Sequence, residues 1–151
     1  MPKDGYSINA AAPDDIEALA DLVALVFSLE KDFRADRQKQ TAGLKMLLAD
    51  SNSRVFVLRH SNLPVGMCTA QLIISTAEGG YKALVEDVAV APGHRGKQWG
   101  RKLLAAAGDW AKAAGARRLD LAADKGNADA LAFYHKTNWQ KTNLVVLQKK
   151  I

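Results

Sequence analysis

The sequence has few of the features that mark unusual classes of protein. Its single cysteine, Cys68, cannot form an internal disulfide, and no Cys or His spacing predicts a metal site. No apolar run approaches the roughly 18 residues that a membrane-spanning helix needs. The first ten residues, MPKDGYSINA, have no apolar core of the signal-peptide type. These absences favour a metal-free protein of the reducing cytoplasm that does not enter a membrane.

Length and composition are those of an ordinary globular protein. The 151 residues can bury one sizeable core, and the chain is 48% hydrophobic and 25% charged, far from the composition of disordered proteins. There is no internal repeat, low-complexity segment or linker. We therefore expect one domain over residues 1–151.

The positive charge is concentrated rather than spread. The formal net charge is +5, from 21 Lys and Arg against 16 Asp and Glu. The main cluster of basic residues comprises His94, Arg95, Lys97, Arg101 and Lys102. A local cluster in a chain with acidic residues elsewhere favours a site for a phosphate-bearing ligand over a nucleic-acid-binding surface.

The spacing of apolar residues predicts a mixed α/β fold with some parallel pairing around a crossover helix. The predicted elements, in order, are a strand over Tyr6 to Ala10, helices over Asp14 to Ser28 and Arg34 to Ala49, strands VFVLRH and LPVGMCTAQLIIST around a turn at Ser61-Asn62, a strand over Tyr81 to Ala91, a helix over Gln98 to Ala114, a strand RRLDLAA, a helix over Asn127 to Lys136, and a last strand LVVLQK.

The segment VEDVAVAPGHRGKQWGRKLL carries the strongest local signal. Here an apolar strand ends at Pro-Gly and is followed by a basic, glycine-containing turn and a helix. The first amides of a helix have no internal partner and lie at the positive end of the helix dipole, so they bind phosphate well. The segment matches neither the P-loop nor the dinucleotide-binding fingerprint. Taken alone, it is an anion site or a basic helix cap without a ligand.

This segment resembles the pyrophosphate loop of the GCN5-related N-acetyltransferase (GNAT) family. That loop follows the fourth strand and reads Gln or Arg, two residues, Gly, one residue, then Gly or Ala. Arg95 and Gly100 match the ends of the pattern, whereas Gln98 replaces the inner glycine. The resemblance implies a centrally twisted mixed sheet of six to seven strands flanked by about four helices.

A second segment, NADALAFYHKTNW, is similar to a later part of the same family. There an Asn precedes an Ala-rich turn and a Phe-Tyr pair, ahead of a bend usually written Gly followed by Phe or Trp. Asn138 stands where that glycine is usual. Two motifs in the expected order and separation imply the family more strongly than either does alone.

The resemblance implies acetyl-CoA as the acyl donor, an amine as the acceptor, and no metal. Tyr134 matches the general acid that protonates the departing thiolate, although a half-buried aromatic role is the plain alternative. Glu86 is the candidate base or ammonium-binding residue, because an acid within an apolar strand needs a reason. Ordered water as the base and a surface salt bridge for Glu86 both remain open.

The expected acetyl-CoA contacts lie on the fourth strand, the loop and the later helix. Strand residues would pair with the pantetheine arm, loop residues would hold the pyrophosphate, and Asn127 would hydrogen-bond the coenzyme or simply cap its helix. Trp99 would cover the adenine or pack on the core. The full set is Val88, Ala89, Val90, Arg95, Gly96, Lys97, Gln98, Trp99, Gly100, Arg101, Asn127 and Phe133.

These expectations describe a small-molecule N-acetyltransferase. A protein or peptide N-acetyltransferase of the same fold and a non-catalytic CoA-binding module are the alternatives. The expected partners are acetyl-CoA and an amine, with neither nucleic acid nor membrane, and a homodimer stays open.

Overall fold

The structure is a computed structural model that describes residues 4–29, 32 and 34–151. The chain divides into two compact units, Met1–Leu121 and Ala122–Ile151. Each unit is described by itself below.

The first unit is built on a five-stranded sheet. The strands are β1 (Tyr6–Ala10), β2 (Ser53–His60), β3 (Leu63–Ser75), β4 (Gly80–Val90) and β5 (Ala116–Asp120), and their order in the sheet is the order in the chain. The first four pair antiparallel, whereas β4 and β5 pair parallel. A parallel pair needs a crossover connection, and the helix between these two strands supplies it. The mixed architecture is thus as predicted.

Three helices belong to this unit: α1 (Ile16–Leu29), α2 (Arg37–Ala49) and α3 (Trp99–Ala113). The predictions for α1 and α2 began two and three residues too early, because Pro13–Asp15 forms a short 3-10 turn and Asp36 caps α2 by accepting a hydrogen bond from the Lys39 amide. Helix α3 ends as predicted before Gly115, whose φ of 95° favours glycine.

The β2–β3 turn confirms the predicted hairpin. Ser61 and Asn62 both have positive φ, 50° and 68°, the pattern of a two-residue turn whose twist matches that of antiparallel strands.

Both faces of the sheet are covered, as strand alternation requires. On one face, β2 and β3 residues such as Val57 and Met67 pack with Leu19 of α1 and Leu44 of α2. On the other face lies α3. Cys68 of β3 donates a hydrogen bond from its thiol to the Leu103 carbonyl of α3 at 3.5 Å. The rings of Phe56 on β2 and Trp110 on α3 meet edge to face, with their centroids 6.2 Å apart.

The second unit contains one helix, α4 (Ala128–Lys136). The predicted last strand over residues 144–149 is wrong: this segment has no regular secondary structure, and its apolar side chains Leu144, Val145, Val146 and Leu147 are exposed. An apolar extended segment becomes a strand only when its backbone pairs with a neighbour. Because no strand pairs with it here, the described residues form five strands rather than the six to seven expected.

The four α-helices found among the described residues agree in number with the expectation of about four. Within the ranges that the structure describes, no helix is long and apolar enough to cross a membrane.

Candidate functional site

A bulge interrupts β4 at the residues singled out for chemistry. Thr69 of β3 pairs with Glu86 and Met67 pairs with Ala89, so Asp87 and Val88 together stand opposite one residue of β3. Asp87 has a φ of 53°, a left-handed conformation that aspartate tolerates better than most residues. A bulge leaves ladder groups unpaired and re-aims the strand. It therefore changes the direction of β4 at the residues predicted to take part in the chemistry.

The two acidic residues at the bulge differ in environment. Glu86 is exposed, whereas Asp87 is half-buried and accepts a hydrogen bond from the Thr69 hydroxyl at 3.4 Å. The sequence reasoning chose Glu86 and passed over Asp87. The signal that favoured Glu86, an acid within an apolar strand, applied equally to Asp87.

After β4, the chain makes a 3-10 turn, Pro92–His94, and enters the loop before α3. Gly96 and Gln98 are both left-handed, with φ of 79° and 63°, on either side of Lys97. Alternation between left- and right-handed residues points successive N–H groups toward one side and creates an anion-binding concavity. Gln98, which replaces the inner glycine of the loop pattern, thus has a backbone conformation that favours glycine.

The start of α3 offers further unpaired donors. The Lys102 amide donates to the Gln98 carbonyl at 3.1 Å, so the amides of Trp99, Gly100 and Arg101 precede the first turn's bonds. Gln98 is the N-cap residue and its side chain makes no capping hydrogen bond. These amides, at the positive end of a 15-residue helix, are a suitable site for a pyrophosphate.

Arg95 links the loop to the strand. Its exposed guanidinium donates from Nε to the Val90 carbonyl at 2.7 Å. Val88 and Val90 are half-buried, while Ala89 belongs to the core. The structure therefore brings together, in one unit, all the strand and loop residues predicted to bind acetyl-CoA.

Trp99 lies on the inner side of the loop. It is 8% exposed and stacks on the Tyr6 ring with the centroids 4.5 Å apart. Lys102 Nζ lies 4.1 Å from the centroid of the Trp99 ring and Lys97 Nζ 5.6 Å from that of Tyr6. In the protein alone, Trp99 packs on the core, the second of its two predicted roles.

The remaining predicted residues lie together in the second unit. Asn127 caps α4, because its Oδ1 accepts from the Ala130 amide at 3.1 Å. This capping leaves the side-chain NH₂ group for a ligand, so the cap and the coenzyme contact are compatible. Tyr134 and Phe133 are half-buried with ring centroids 5.3 Å apart, and Trp139 meets Tyr134 edge to face at 6.1 Å.

Cys68 is inert in this fold. Burial, with a smaller contribution from the Asp87 charge, raises the pKa of its thiol to about 12. A neutral, buried thiol is neither a nucleophile nor a metal ligand. Across the described portion of the chain, no three His, Cys, Asp or Glu side chains are grouped to hold a metal ion.

The residues present fit an acyl-CoA. The loop offers a concave row of amides without side chains at Gly96 and Gly100, where a Cβ added to Gly96 would meet no atom within 4 Å. The bulged strand next to it offers backbone groups for an extended arm. Lys97, Arg101 and Lys102 are exposed cations beside those amides.

The chain belongs to the acetyltransferase (GNAT) family, whose model matches residues 17–139. That range contains the bulged strand, the loop before α3 and α4. The membership confirms the family inferred from the two sequence motifs.

Among curated proteins, the chain is similar to streptothricin acetyltransferase of Streptomyces lavendulae, with 36% identity over 87 residues. The match covers 58% of this chain and 44% of that relative, so it spans less than half of the relative's length.

Two solved structures show the same fold. One is an aminoglycoside acetyltransferase from an uncultured soil metagenomic sample, in complex with sisomicin, with a TM-score of 0.79 and 23% identity over 100% of this chain and 99% of that one. The other is an aminoglycoside N-acetyltransferase in complex with CoA, with a TM-score of 0.84 and 16% identity over 99% of this chain and 98% of that one.

Proposed function

We propose that the protein is an N-acetyltransferase, organised as one domain over residues 1–151, that transfers an acetyl group from acetyl-CoA to a primary amine of a small molecule. Its single cysteine is a buried thiol, which suits the reducing cytoplasm.

The observation that carries the proposal is the junction of β4, the loop and α3. Two rare backbone features adjoin here, a left-handed aspartate in a strand bulge and a left-handed glutamine at a helix start. Left-handed non-glycine residues are uncommon and concentrate at functional sites. A bulged strand followed by a loop with several unpaired amides at a helix start suits an extended, phosphate-bearing acyl donor.

Acyl transfer to an amine needs a neutral nucleophile and a proton for the leaving thiolate. Glu86, exposed beside the bulge, is suited to accept the ammonium proton directly or through water, or to bind the ammonium by charge. Tyr134 carries a phenol with a reference pKa near 10, which is protonated at neutral pH and can donate to sulfur. The assignment of Tyr134 is supported by its match to the family's motif.

The names of the relatives suggest the acceptor class. Streptothricin and the aminoglycosides acetylated by these relatives are amino-bearing small molecules, and Glu86 and Asp87 give this chain two carboxylates where a cationic acceptor would approach the acyl group. We therefore expect polyamino small molecules to be better acceptors than peptides.

Release of free thiol from acetyl-CoA, followed over panels of aminoglycosides, streptothricin-type amines, amino acids and peptides, tests this proposal. We expect turnover with at least one of the aminoglycosides or streptothricin-type amines and little turnover with peptides. Peptide-only turnover would indicate a protein acetyltransferase, and acetyl-CoA binding without any turnover would indicate a binding module.

Two variants then separate the roles. Tyr134→Phe should lower kcat by about 10²-fold or more while acetyl-CoA affinity holds, because the ring remains and only the donor is lost. Wild-type kcat in this variant would remove Tyr134 from the mechanism.

Glu86→Gln should lower kcat most at low pH if Glu86 is the base, since the amine is then mostly protonated. If Glu86 only binds the ammonium, KM should rise with kcat spared. The neighbouring Asp87→Asn variant removes the other carboxylate at the bulge, so a comparison of the two variants shows which carboxylate has the effect.

A further inference from the structure

A buried hydroxyl lies behind the bulge of β4. Thr69 of β3 is 1% exposed, and its neighbours Cys68 and Ala70 and its β2 partner Val55 are all buried. A valine would have nearly the same shape here, but threonine carries a hydroxyl, which costs free energy when it is buried without a hydrogen-bond partner. A threonine at this position therefore needs a polar partner to offset that cost.

The partner of this hydroxyl is the carboxylate of Asp87. Thr69 Oγ1 donates a hydrogen bond to Asp87 Oδ2 at 3.4 Å. The distance exceeds the usual length of about 2.7–2.8 Å for a bond between these atom types. Hydrogen bonds at catalytic sites are often long in the free enzyme and shorten once the substrate is bound. A long hydrogen bond between these two groups therefore fits a site without its ligand.

The Asp87 carboxylate lies near the interior of the sheet. The bulge is set by the register between β3 and β4, and Asp87 holds a φ of 53° within it. Burial is the main cause of the raised pKa of the Cys68 thiol, and the negative charge of Asp87 is the second. Since Cys68 is buried beside Thr69 on β3, the charge of Asp87 lies close to the core of the sheet.

Glu86 differs from Asp87 in both exposure and support. It is exposed and, among the residues that the structure describes, it makes no hydrogen bond or ion pair. A half-buried carboxylate attracts a cation more strongly than an exposed one, because less water screens the charge. A carboxylate that is already held in place also loses less conformational entropy when it binds. Asp87 is thus the better ammonium site, and Glu86 the better group to exchange a proton with solvent.

We propose that Thr69 is a positioning residue whose buried hydroxyl orients the Asp87 carboxylate to bind a second, non-reacting ammonium group of a polyamino acceptor. The inference rests on the proposed function, because it assigns the acceptor side of the same site. Asp87 directly precedes Val88, which begins the stretch expected to lie along the acyl donor. An acceptor held by Asp87 through one ammonium group can present another amino group to the acyl group and to Glu86.

The test compares the best polyamino acceptor with glucosamine, which carries a single amino group, in steady-state kinetics. In Thr69→Val, which removes the hydroxyl and keeps the size, KM for the polyamino acceptor should rise by about 10-fold, the lower end of the range for hydrogen bonds to charged groups. The kcat with this acceptor, KM for glucosamine and acetyl-CoA affinity should hold. Thr69→Ser, which keeps the hydroxyl, should restore most of the wild-type KM.

Two further variants show through which group Thr69 acts. Asp87→Asn should raise KM for the polyamino acceptor further than Thr69→Val does, and the double variant should be little worse than Asp87→Asn alone. Ser75→Ala is the matched control. Ser75 is a buried residue at the far end of β3 whose hydroxyl accepts a hydrogen bond from the Glu78 amide, so its loss should leave every KM unchanged.

Several results would overturn the assignment. An unchanged KM in Thr69→Val, or an equal rise for both acceptors, would show that the hydroxyl supports the fold only. Full additivity in the double variant would show that Thr69 does not act through Asp87, and wild-type KM in Asp87→Asn would remove Asp87 from acceptor binding. A wild-type protein that turns over no amine refutes the proposed function itself. Thermal melting checks that each variant is folded, and Thr69→Ala replaces Thr69→Val if the valine variant does not fold.

Discussion

Replacing Gln98 with glycine should stabilise this protein, although most mutations to glycine destabilise. Gln98 is held at φ 63° at the N-cap of α3, and its exposed side chain makes no capping hydrogen bond. A non-glycine residue pays about 1–2 kcal/mol in the left-handed region. Glycine avoids that cost but loses about 0.5–1 kcal/mol in backbone entropy. The net expected gain is about 0.5–1 kcal/mol in the free energy of unfolding.

Urea denaturation and thermal melting would measure this change. For a chain of this length, a gain of 1 kcal/mol raises Tm by about 2–4 °C. Gln98→Ala is the decisive control, because it removes the long side chain but keeps the Cβ that causes the strain. We expect it to be no more stable than the wild type. Asn138→Gly offers a second comparison, since Asn138 is also left-handed, at φ 69°, but asparagine tolerates this region and should gain less.

The same change should affect the coenzyme. A glycine at position 98 exposes the loop amides to the pyrophosphate, so acetyl-CoA affinity should rise several-fold in Gln98→Gly. If Gln98→Ala is as stable as Gln98→Gly, or if Gln98→Gly is less stable than the wild type, then the left-handed backbone at position 98 does not destabilise the protein and the reasoning fails.

Three further predictions concern the supporting structure. Asp15 is 7% exposed and accepts two hydrogen bonds from the Arg59 guanidinium, at 2.8 and 2.7 Å. These hydrogen bonds lower the pKa of the Asp15 carboxyl. We therefore expect Asp15→Asn to lower the free energy of unfolding by about 2–3 kcal/mol. Because the pKa of Asp15 is lower in the folded than in the unfolded protein, its contribution to the free energy of unfolding is present at neutral pH and is lost below about pH 4. If Asp15→Asn loses as much stability on acidification as the wild type does, the prediction is contradicted. The Cys68 thiol should react with a thiol reagent at pH 8 only as fast as the protein unfolds, and rapid native-state labelling would disprove its burial. Gly66→Ala should lower the free energy of unfolding, measured by urea denaturation, by about 1–3 kcal/mol, since the new Cβ would lie 3.0 Å from the Ala89 carbonyl oxygen. An unchanged free energy of unfolding would show that β3 and β4 can move apart to accommodate the Cβ.

Much of the fold could be predicted because the signals are local. Apolar, β-branched runs between turn residues marked the strands of the first unit, and helical spacing, weaker in α2, marked its helices. Ser61-Asn62 and Gly115 marked a turn and a helix end through their own backbone preferences. The loop before α3 could be found in the same way, because an apolar strand, a Pro-Gly, basic residues and a helix follow one another within a short segment.

The segment 144–149 shows where local signals fail. Its apolar, β-branched residues satisfy a strand pattern, yet strand formation depends on a neighbouring backbone and not on the segment alone. The same limit applies to the bulge in β4, because the extra residue is defined only by the register against β3. Asp87 was therefore overlooked although it adjoins Glu86.

The sequence by itself determined the class of the fold, the family and the position of the basic loop before α3, since these depend on residues close together in the chain. Only the tertiary structure decided that Gln98 adopts a left-handed backbone, which favours glycine, and that Trp99 packs on Tyr6. It also brought Tyr6 from β1 and His60 from β2 close to Lys97 of the loop and Lys102 of α3, across separations of more than 30 residues. No local pattern encodes such a cluster, because its members meet only when the strands pair and the crossover helix packs on the sheet.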